Sequence, residues 1–302
     1  MTTGLQSSNT IKQSESHKKL KYGFTLMSFL IATLLTACNQ PPTTEKKSIT
    51  EDHSLEQIKK NGVLRVGVFA DNPPFGYVDS AGQYQGFDVA LAKRVTQDLL
   101  GDENKIQFVV TEAANRVEFL KSDKVDVVFA SFSVTPERQK VIDFAEPYLK
   151  ASLGIVSPKS KAITHVKDLE GKILIVNKGS SSDSYFAKNF PKIKLLKFEQ
   201  NTDAFNALTD GRGDAISQDS TYALAWVAKN PNYVVGIAQI GNEDFIAAGV
   251  KKGNTQLLNW LNDETKQLRN SGDIQKIYNE TLKPIYGEKI NADIFLDVES
   301  KK

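Results

Sequence analysis

The chain has 302 residues, 40% hydrophobic and 25% charged, with a net charge of +2; this is a globular profile, long enough for one large domain or two ordinary ones. The positive surplus sits in residues 1–37, where Lys12, Lys18, Lys19 and Lys21 face only Glu15, so the remainder is close to neutral and offers no concentrated basic face for nucleic acid. A single Cys (Cys38) and three His (His17, His53, His165) exclude an intrachain disulfide and a cysteine-based metal site and leave little for a Ser-His-Asp triad, so no metal or cofactor is expected.

HKKLKYGFTLMSFLIATLLTAC (17–38) has a basic start, an apolar stretch and small residues before Cys38. Its apolar run is shorter than the roughly 20 residues that span a bilayer, and the pattern reads as a secretory signal peptide. Leu35-Thr36-Ala37-Cys38 resembles the bacterial lipobox, which implies that Cys38 is diacylated and becomes the mature N-terminus. A periplasmic or cell-envelope location, lipid-anchored to a membrane, follows from that reading. Residues 38–54, polar and proline-containing, read as a flexible tether.

VLRVGVF (63–69) is a β-rich run after the turn signal Asn61-Gly62. Phe87, Leu91, Val95 and Leu99 recur every four residues and predict a helix with one apolar stripe. IQFVV (106–110) reads as a strand, NRVEFLKS (115–122) as a short helix and VDVVFA (125–130) as a strand. Thr135-Pro136-Glu137 is a helix start, with Thr135 as N-cap and Pro136 as first helical residue. YLKASLGIV (148–156) is a longer β-like run. A second series follows: strand ILIV (173–176), helix YFAKNF (185–190), helix DAFNALTDG (203–211), strand DAISQ (214–218) and helix STYALAWVAKN (220–230). FIAAGVKK (245–252) is another apolar run, and residues 255–282 read as two amphipathic helices split at Ser271-Gly272.

The alternation predicts an α/β class with largely parallel pairing. Two such units joined by two extended runs, Tyr148–Val156 and Phe245–Lys251, predict two lobes with a double crossover and a ligand cleft between them. The expected boundaries are 55–150 with 248–290 for lobe 1, 151–247 for lobe 2, and a C-terminal tail over 291–302.

Four loops at strand ends carry suggestive residues. In SFSVTPER (131–138), Ser131 and Ser133 offer hydroxyls, and Arg138 offers a fork for a carboxylate beside free helix amides; a surface arginine paired with Glu137 or Asp143 is an equal reading of that loop alone. In NKGSSSDS (177–184), Gly179 permits close backbone approach and the following amides form an anion-binding nest, although an ordinary N-cap explains the serines as well. Asp219 in SQDSTYA (217–223) can accept from an ammonium group or simply cap the next helix. Glu112 and Arg116 have the spacing of a solvated i,i+4 pair. Taken together, Arg138 with the serine loop suits an α-carboxylate and Asp219 suits an α-ammonium, the charge pattern of a zwitterionic amino acid. No nucleophile–base pair accompanies them, and an enzyme is not expected.

GFDVALAKRV (86–95), FADNPPFGYVD (69–79), SFSVTPERQKVIDFAEPYL (131–149) and DGRGDAISQDSTYALA (210–225) resemble segments of the family-3 solute-binding proteins of bacterial ABC importers for polar amino acids. The resemblance covers roughly residues 54–286 and implies the two-lobed type II periplasmic-binding-protein fold. Ala90 departs from the family pattern, which has an acid there, and is expected on the helix surface. Carried over, the resemblance implies that Arg138, Ser133 and the amides near Ser180 and Ser181 hold the α-carboxylate. Asp219 and the Ser131 carbonyl hold the α-ammonium, while Asn72, Phe75, Phe87, Glu112, Arg116 and Phe132 surround the side chain or shape its pocket.

GVFADNPPFGYVD, AANRVEFLKSDKVDVV, ILIVNKGSSSDSYF and RGDAISQDSTYALAWV further resemble the cysteine-binding lipoproteins of Gram-negative bacteria, which implies L-cysteine as ligand, an ABC permease as partner and a monomer. Arg116 leaves aspartate or glutamate open, since related dicarboxylate binders place an arginine here; Glu112 could neutralise it. Two other classes remain, a dehydratase-type enzyme on the same fold, for which Glu112 is the one obvious acid–base candidate, and a surface adhesin, which needs no convergence of Arg138 and Asp219.

Overall fold

The computed structural model describes residues 54–287 and 292–298. Cys38, the leader and the tether up to His53 lie outside the described residues.

The first lobe begins with α1 (Ser54–Asn61) and β1 (Leu64–Val68). A small antiparallel sheet follows, made of β2 (Asp71–Asn72), β3 (Gly76–Val78) and β4 (Tyr84–Gln85). Then come α2 (Phe87–Leu100), β5 (Ile106–Val110), α3 (Arg116–Lys121), β6 (Val127–Val128) and the one-turn helix α4 (Pro136–Gln139). The 17-residue strand β7 (Ile142–Pro158) carries the chain into the second lobe. That lobe contains β8 (Ile173–Asn177), α5 (Ser181–Asn189), β9 (Lys194–Phe198), α6 (Asn201–Thr209), β10 (Ala215–Asp219) and α7 (Ser220–Lys229). The 19-residue strand β11 (Tyr233–Lys251) returns, and α8 (Thr255–Asn270), α9 (Asp273–Thr281), α10 (Lys283–Tyr286) and α11 (Asp293–Leu296) close the chain.

One eight-stranded sheet runs through both lobes in the order β5-β1-β6-β11-β7-β10-β8-β9. Pairing is parallel within each lobe (β5-β1-β6 and β10-β8-β9) and antiparallel wherever β7 or β11 takes part. β7 and β11 pair from Ile142–Lys251 to Pro158–Tyr233, with register shifts between Val235 and Gly249. Such irregularities bend and twist a ribbon, which lets two crossover strands join lobes that face different ways. The double crossover expected from the two extended runs is therefore present, in strands of 17 and 19 residues that extend well beyond the runs Tyr148–Val156 and Phe245–Lys251.

Phe87, Leu91, Val95 and Leu99 of α2 are all buried in the core that also holds Val66 and Val68 of β1. Ala90, expected on the surface, is partly buried against the same core. VDVVFA pairs as a strand only over Val127–Val128, and β9 and the β2–β4 sheet add strands beyond those the sequence pattern predicts. β9 is an edge strand whose KLLKF pattern carries lysines at exposed positions, a guard against edge-to-edge pairing that also dilutes its apolar signal. The C-terminal tail contains a helical turn: Phe295 is buried, with its ring centroid 5.0 Å from that of Tyr286.

Beneath the first lobe, Glu264 of α8 is buried and shares a hydrogen bond with Asp98 of α2, while Arg94 pairs with Asp98 and lies 3.5 Å from Asp273. Burial first, then the bond to Asp98, pushes Glu264 up to about 8, so near neutral pH it holds the proton that it donates to Asp98. The folded chain thus binds this proton more tightly than the unfolded one. The resulting stabilisation is complete below the ordinary carboxylate pKa and is lost as pH rises through about 8. Denaturant unfolding of the wild type is expected to lose stability between pH 6 and 9, and Glu264→Gln to flatten that slope and exceed the wild type at pH 9.

Candidate functional site

Between the lobes lies a narrow chamber. Asn72, Arg116, Ser131 and Ser133 line it from the first lobe, and Ser180, Ser181 and Asp219 from the second. Residues that the sequence did not single out complete the wall, among them Phe69, Asn177, Asn201, Gln218 and Tyr222.

The first-lobe wall is built on the start of α2. The Pro74 and Phe75 carbonyls accept from the amides of Phe87 and Asp88, both at 2.9 Å, so the FADNPPF loop folds over the helix N-terminus. Only glycine fits at position 86: its φ is +112°, and a Cβ there would sit 2.3 Å from the Phe75 carbonyl oxygen. The fully buried Asp88 carboxylate accepts from the Ser131 amide (2.8 Å), the Ser131 hydroxyl (3.3 Å) and the Tyr148 hydroxyl (2.9 Å). Those bonds hold Ser131 at φ +43°, a left-handed conformation that is costly for a non-glycine residue. Burial pushes the Asp88 carboxyl up, opposed by these donors and by the Arg116 charge. Asn72 is buried; its amide nitrogen lies 3.4 Å from the Ser131 hydroxyl, and its Oδ1 has no hydrogen-bond partner among the described residues.

Arg116 is not a solvated partner of Glu112. It is buried, with Nε donating to the Ala113 carbonyl (3.2 Å) and Nη1 to the Ala130 (2.9 Å) and Ser131 (3.2 Å) carbonyls. Its guanidinium lies 4.4 Å from the centre of the Phe132 ring, a cation–π arrangement. Burial, and then the Arg138 charge, lower its pKa. Glu112 instead accepts from the Asn115 amide at 2.5 Å and does not line the chamber, so it does not neutralise Arg116 by contact. Phe75 and Phe87 lie in the first-lobe core, where they can shape the pocket without touching its contents. Phe132 is fully buried beneath Arg116 and Arg138.

In the second lobe Ser180 caps α5, its hydroxyl accepting from the Asp183 amide at 3.1 Å. The Ser181 and Ser133 hydroxyls meet across the cleft at 3.2 Å. Gly179, at φ +74°, lets the lobes touch: a Cβ there would lie 2.7 Å from Ala114 Cα. Arg138 stands at the rim and also spans the lobes, with Nη1 donating to the Ser133 carbonyl (2.7 Å) and Nη2 to the Gly179 carbonyl (3.0 Å). Its backbone amide meets the Thr135 hydroxyl at 3.3 Å, the cap expected from the sequence. Burial lowers its guanidinium pKa to about 10, against the pull of Asp219 and Asp244. Asp219 occupies the N-cap position of α7, yet its side chain makes no cap bond. Burial raises it to about 6, opposed by the nearby charges of Arg116 and Arg138. The chamber wall thus offers acceptors (Asp219, Asn72 Oδ1) and serine hydroxyls, with the Arg138 charge close enough to act on Asp219.

Residues 64–283 match the model of the bacterial extracellular solute-binding proteins, family 3. Among solved structures, the chain is similar to the solute receptor for L-cysteine of Neisseria gonorrhoeae, with 50% identity, a TM-score of 0.79, and coverage of 80% of this chain and 98% of that one. It is equally similar to the cysteine-binding protein of Campylobacter jejuni, with 51% identity, the same TM-score and the same coverage. A cyclohexadienyl dehydratase of Pseudomonas aeruginosa is 30% identical over 177 residues, 57% of this chain and 65% of that protein, so related chains include an enzyme.

Removing the buried acceptor should loosen the first-lobe wall. Asp88→Ala is expected to lower the unfolding free energy by about 1–3 kcal/mol for each buried donor left unpaired, measured by urea denaturation.

Proposed function

The chain belongs to the bacterial extracellular solute-binding proteins of family 3, and from that premise we propose that it binds a free polar L-α-amino acid, foremost L-cysteine, between its lobes and delivers it to the permease of an ABC importer. The observation that carries the reading is Asp219, a carboxylate at the end of a core strand that faces the chamber instead of capping its own helix. In this reading Asp219 and Asn72 Oδ1 accept from the α-ammonium. Ser133, the amides near Ser180 and Ser181, and Arg138 at the rim hold the α-carboxylate. Groups from both lobes are needed, so ligand favours the closed form through contacts that the open form lacks.

The two relatives of known structure at about half identity are described as receptors for cysteine, which supports a small side chain. Aspartate and glutamate remain the alternative, because Arg116 lines the chamber and its hydrogen bonds among the described residues use Nε and Nη1. The anchor proposed at Cys38 would hold the protein outside the cytoplasmic membrane by lipid. A dehydratase reading is favoured by one observation, since a carboxyl raised to about 6 suits acid–base work as well as ammonium binding. Absorbance assays with prephenate-like substrates separate the two: turnover supports the enzyme, and silence with amino-acid binding supports the receptor.

Calorimetric titration of ligand-stripped protein with a panel of amino acids is expected to give tight 1:1 binding of L-cysteine. Tight aspartate binding with no heat from cysteine would contradict that ligand. Arg138→Ala is expected to weaken binding by about 2–5 kcal/mol in the same assay, the range for truncating one partner of a buried charge pair. Affinity should also fall as pH drops from 7.5 to 5, because Asp219 protonates near 6 and a neutral carboxyl no longer pairs with ammonium.

A further inference from the structure

Helix α6 begins without a cap of its own. Its N-cap residue, the exposed Gln200, makes no side-chain bond to the helix amides, yet the first two amides of the helix have an acceptor. The partner is Asp71 of β2, which belongs to the other lobe. Asp71 Oδ2 accepts from the Asn201 amide (2.7 Å) and the Thr202 amide (3.1 Å), and Oδ1 accepts from the Asn201 side-chain amide (2.9 Å). Asn201 is buried, and its Oδ1 lies 3.3 Å from Gln218 Nε2, which also donates to Asn177 Oδ1 at 2.5 Å. Asn201, Gln218 and Asn177 line the chamber and Asp71 does not.

We propose that Asp71 is a positioning residue that latches the closed form by capping a helix of the opposite lobe. The first amides of a helix need acceptors, and a carboxylate there also meets the positive end of the helix dipole. An acceptor inside the same lobe would serve the open and closed forms alike and favour neither. Asp71 serves only when the lobes are together, so its bonds add to closure and slow ligand release. The Tyr222 hydroxyl lies 3.5 Å from the Asp71 carbonyl, a second contact from lobe 2 to the same loop. The latch touches no ligand atom, so it strengthens the binding of every ligand alike.

This inference rests on the amino-acid reading above, and the test separates the two. Release of labelled L-cysteine would be timed by chase from the full-length protein and from three variants. Asp71→Ala is expected to speed release about fivefold to thirtyfold, the factor corresponding to the loss of a helix cap. Asp71→Asn, which keeps an acceptor but loses the charge, falls between Ala and wild type. Gln200→Asp leaves Asp71 in place but gives α6 a cap within its own lobe, and it too should speed release. The ratio of affinities among amino acids stays within twofold of wild type in all three. Release unchanged in Asp71→Ala, or a changed ratio, would overturn the latch. If wild type binds no amino acid, the preceding reading fails, and the latch is judged by hydrogen exchange at Asn201 and Thr202: faster exchange in Asp71→Ala supports it, equal exchange overturns it.

Discussion

Asp219 and Arg138 carry opposite charges, stand in different lobes and attract each other across the cleft, each moving the other's pKa against the effect of burial. Neither charge is well compensated within its own lobe. Asp219 makes no cap bond to the helix it precedes, and Arg138 draws one of its two side-chain acceptors, the Gly179 carbonyl, from the far side. Isolated charges are expensive to withdraw from water. A chamber lined by the Asp219 carboxylate and serine groups, with the Arg138 guanidinium close by, offsets that cost by accepting a molecule that carries both charges itself.

The fold makes this arrangement adjustable. β7 and β11 pair with each other through a bulged, irregular register and hold both lobes on one sheet. Each lobe presents the ends of its parallel strands and the starts of its helices to the cleft, which is where α/β folds place ligands. The first-lobe wall is rigid because Asp88 locks Ser131 into a left-handed turn, while the second lobe contributes Asp219 and the serine loop. Close approach depends on a residue with no side chain at Gly179 and on a carboxylate reaching across the cleft at Asp71. Closure therefore draws on Gly179 and Asp71 as well as on Arg138, Ser133 and Ser181, which also face the ligand in the proposed reading.

Much of this was legible in the sequence, and the misses have physical causes. The helix starts at Thr135 and Ser220, the split at Ser271-Gly272 and the two crossover runs are local signals, and each appears in the structure. Arg138, the serine loop and Asp219 stand out in the sequence because each sits at a strand end or a helix start. Arg116 was harder: four residues from Glu112, it reads as a surface pair, and only the fold shows it buried against carbonyls and the Phe132 ring. Phe75 and Phe87 look alike as core or pocket residues, because burial is a property of the tertiary arrangement. Asp71 and Asp88 act on partners 130 and 43 positions away, a separation that no spacing rule encodes. The bare N-cap at Gln200 was the one local hint that α6 takes its cap from elsewhere.

The central claim is that one zwitterionic amino acid occupies the chamber. Native mass spectrometry addresses it directly: protein stripped by unfolding and refolding is incubated under reducing conditions with an equimolar mixture of the L-amino acids and desalted. The account predicts a single adduct per chain with the mass of cysteine, absent in Asp219→Ala. A chain that retains no amino acid, or one that retains it equally well without the Asp219 carboxylate, would contradict the account.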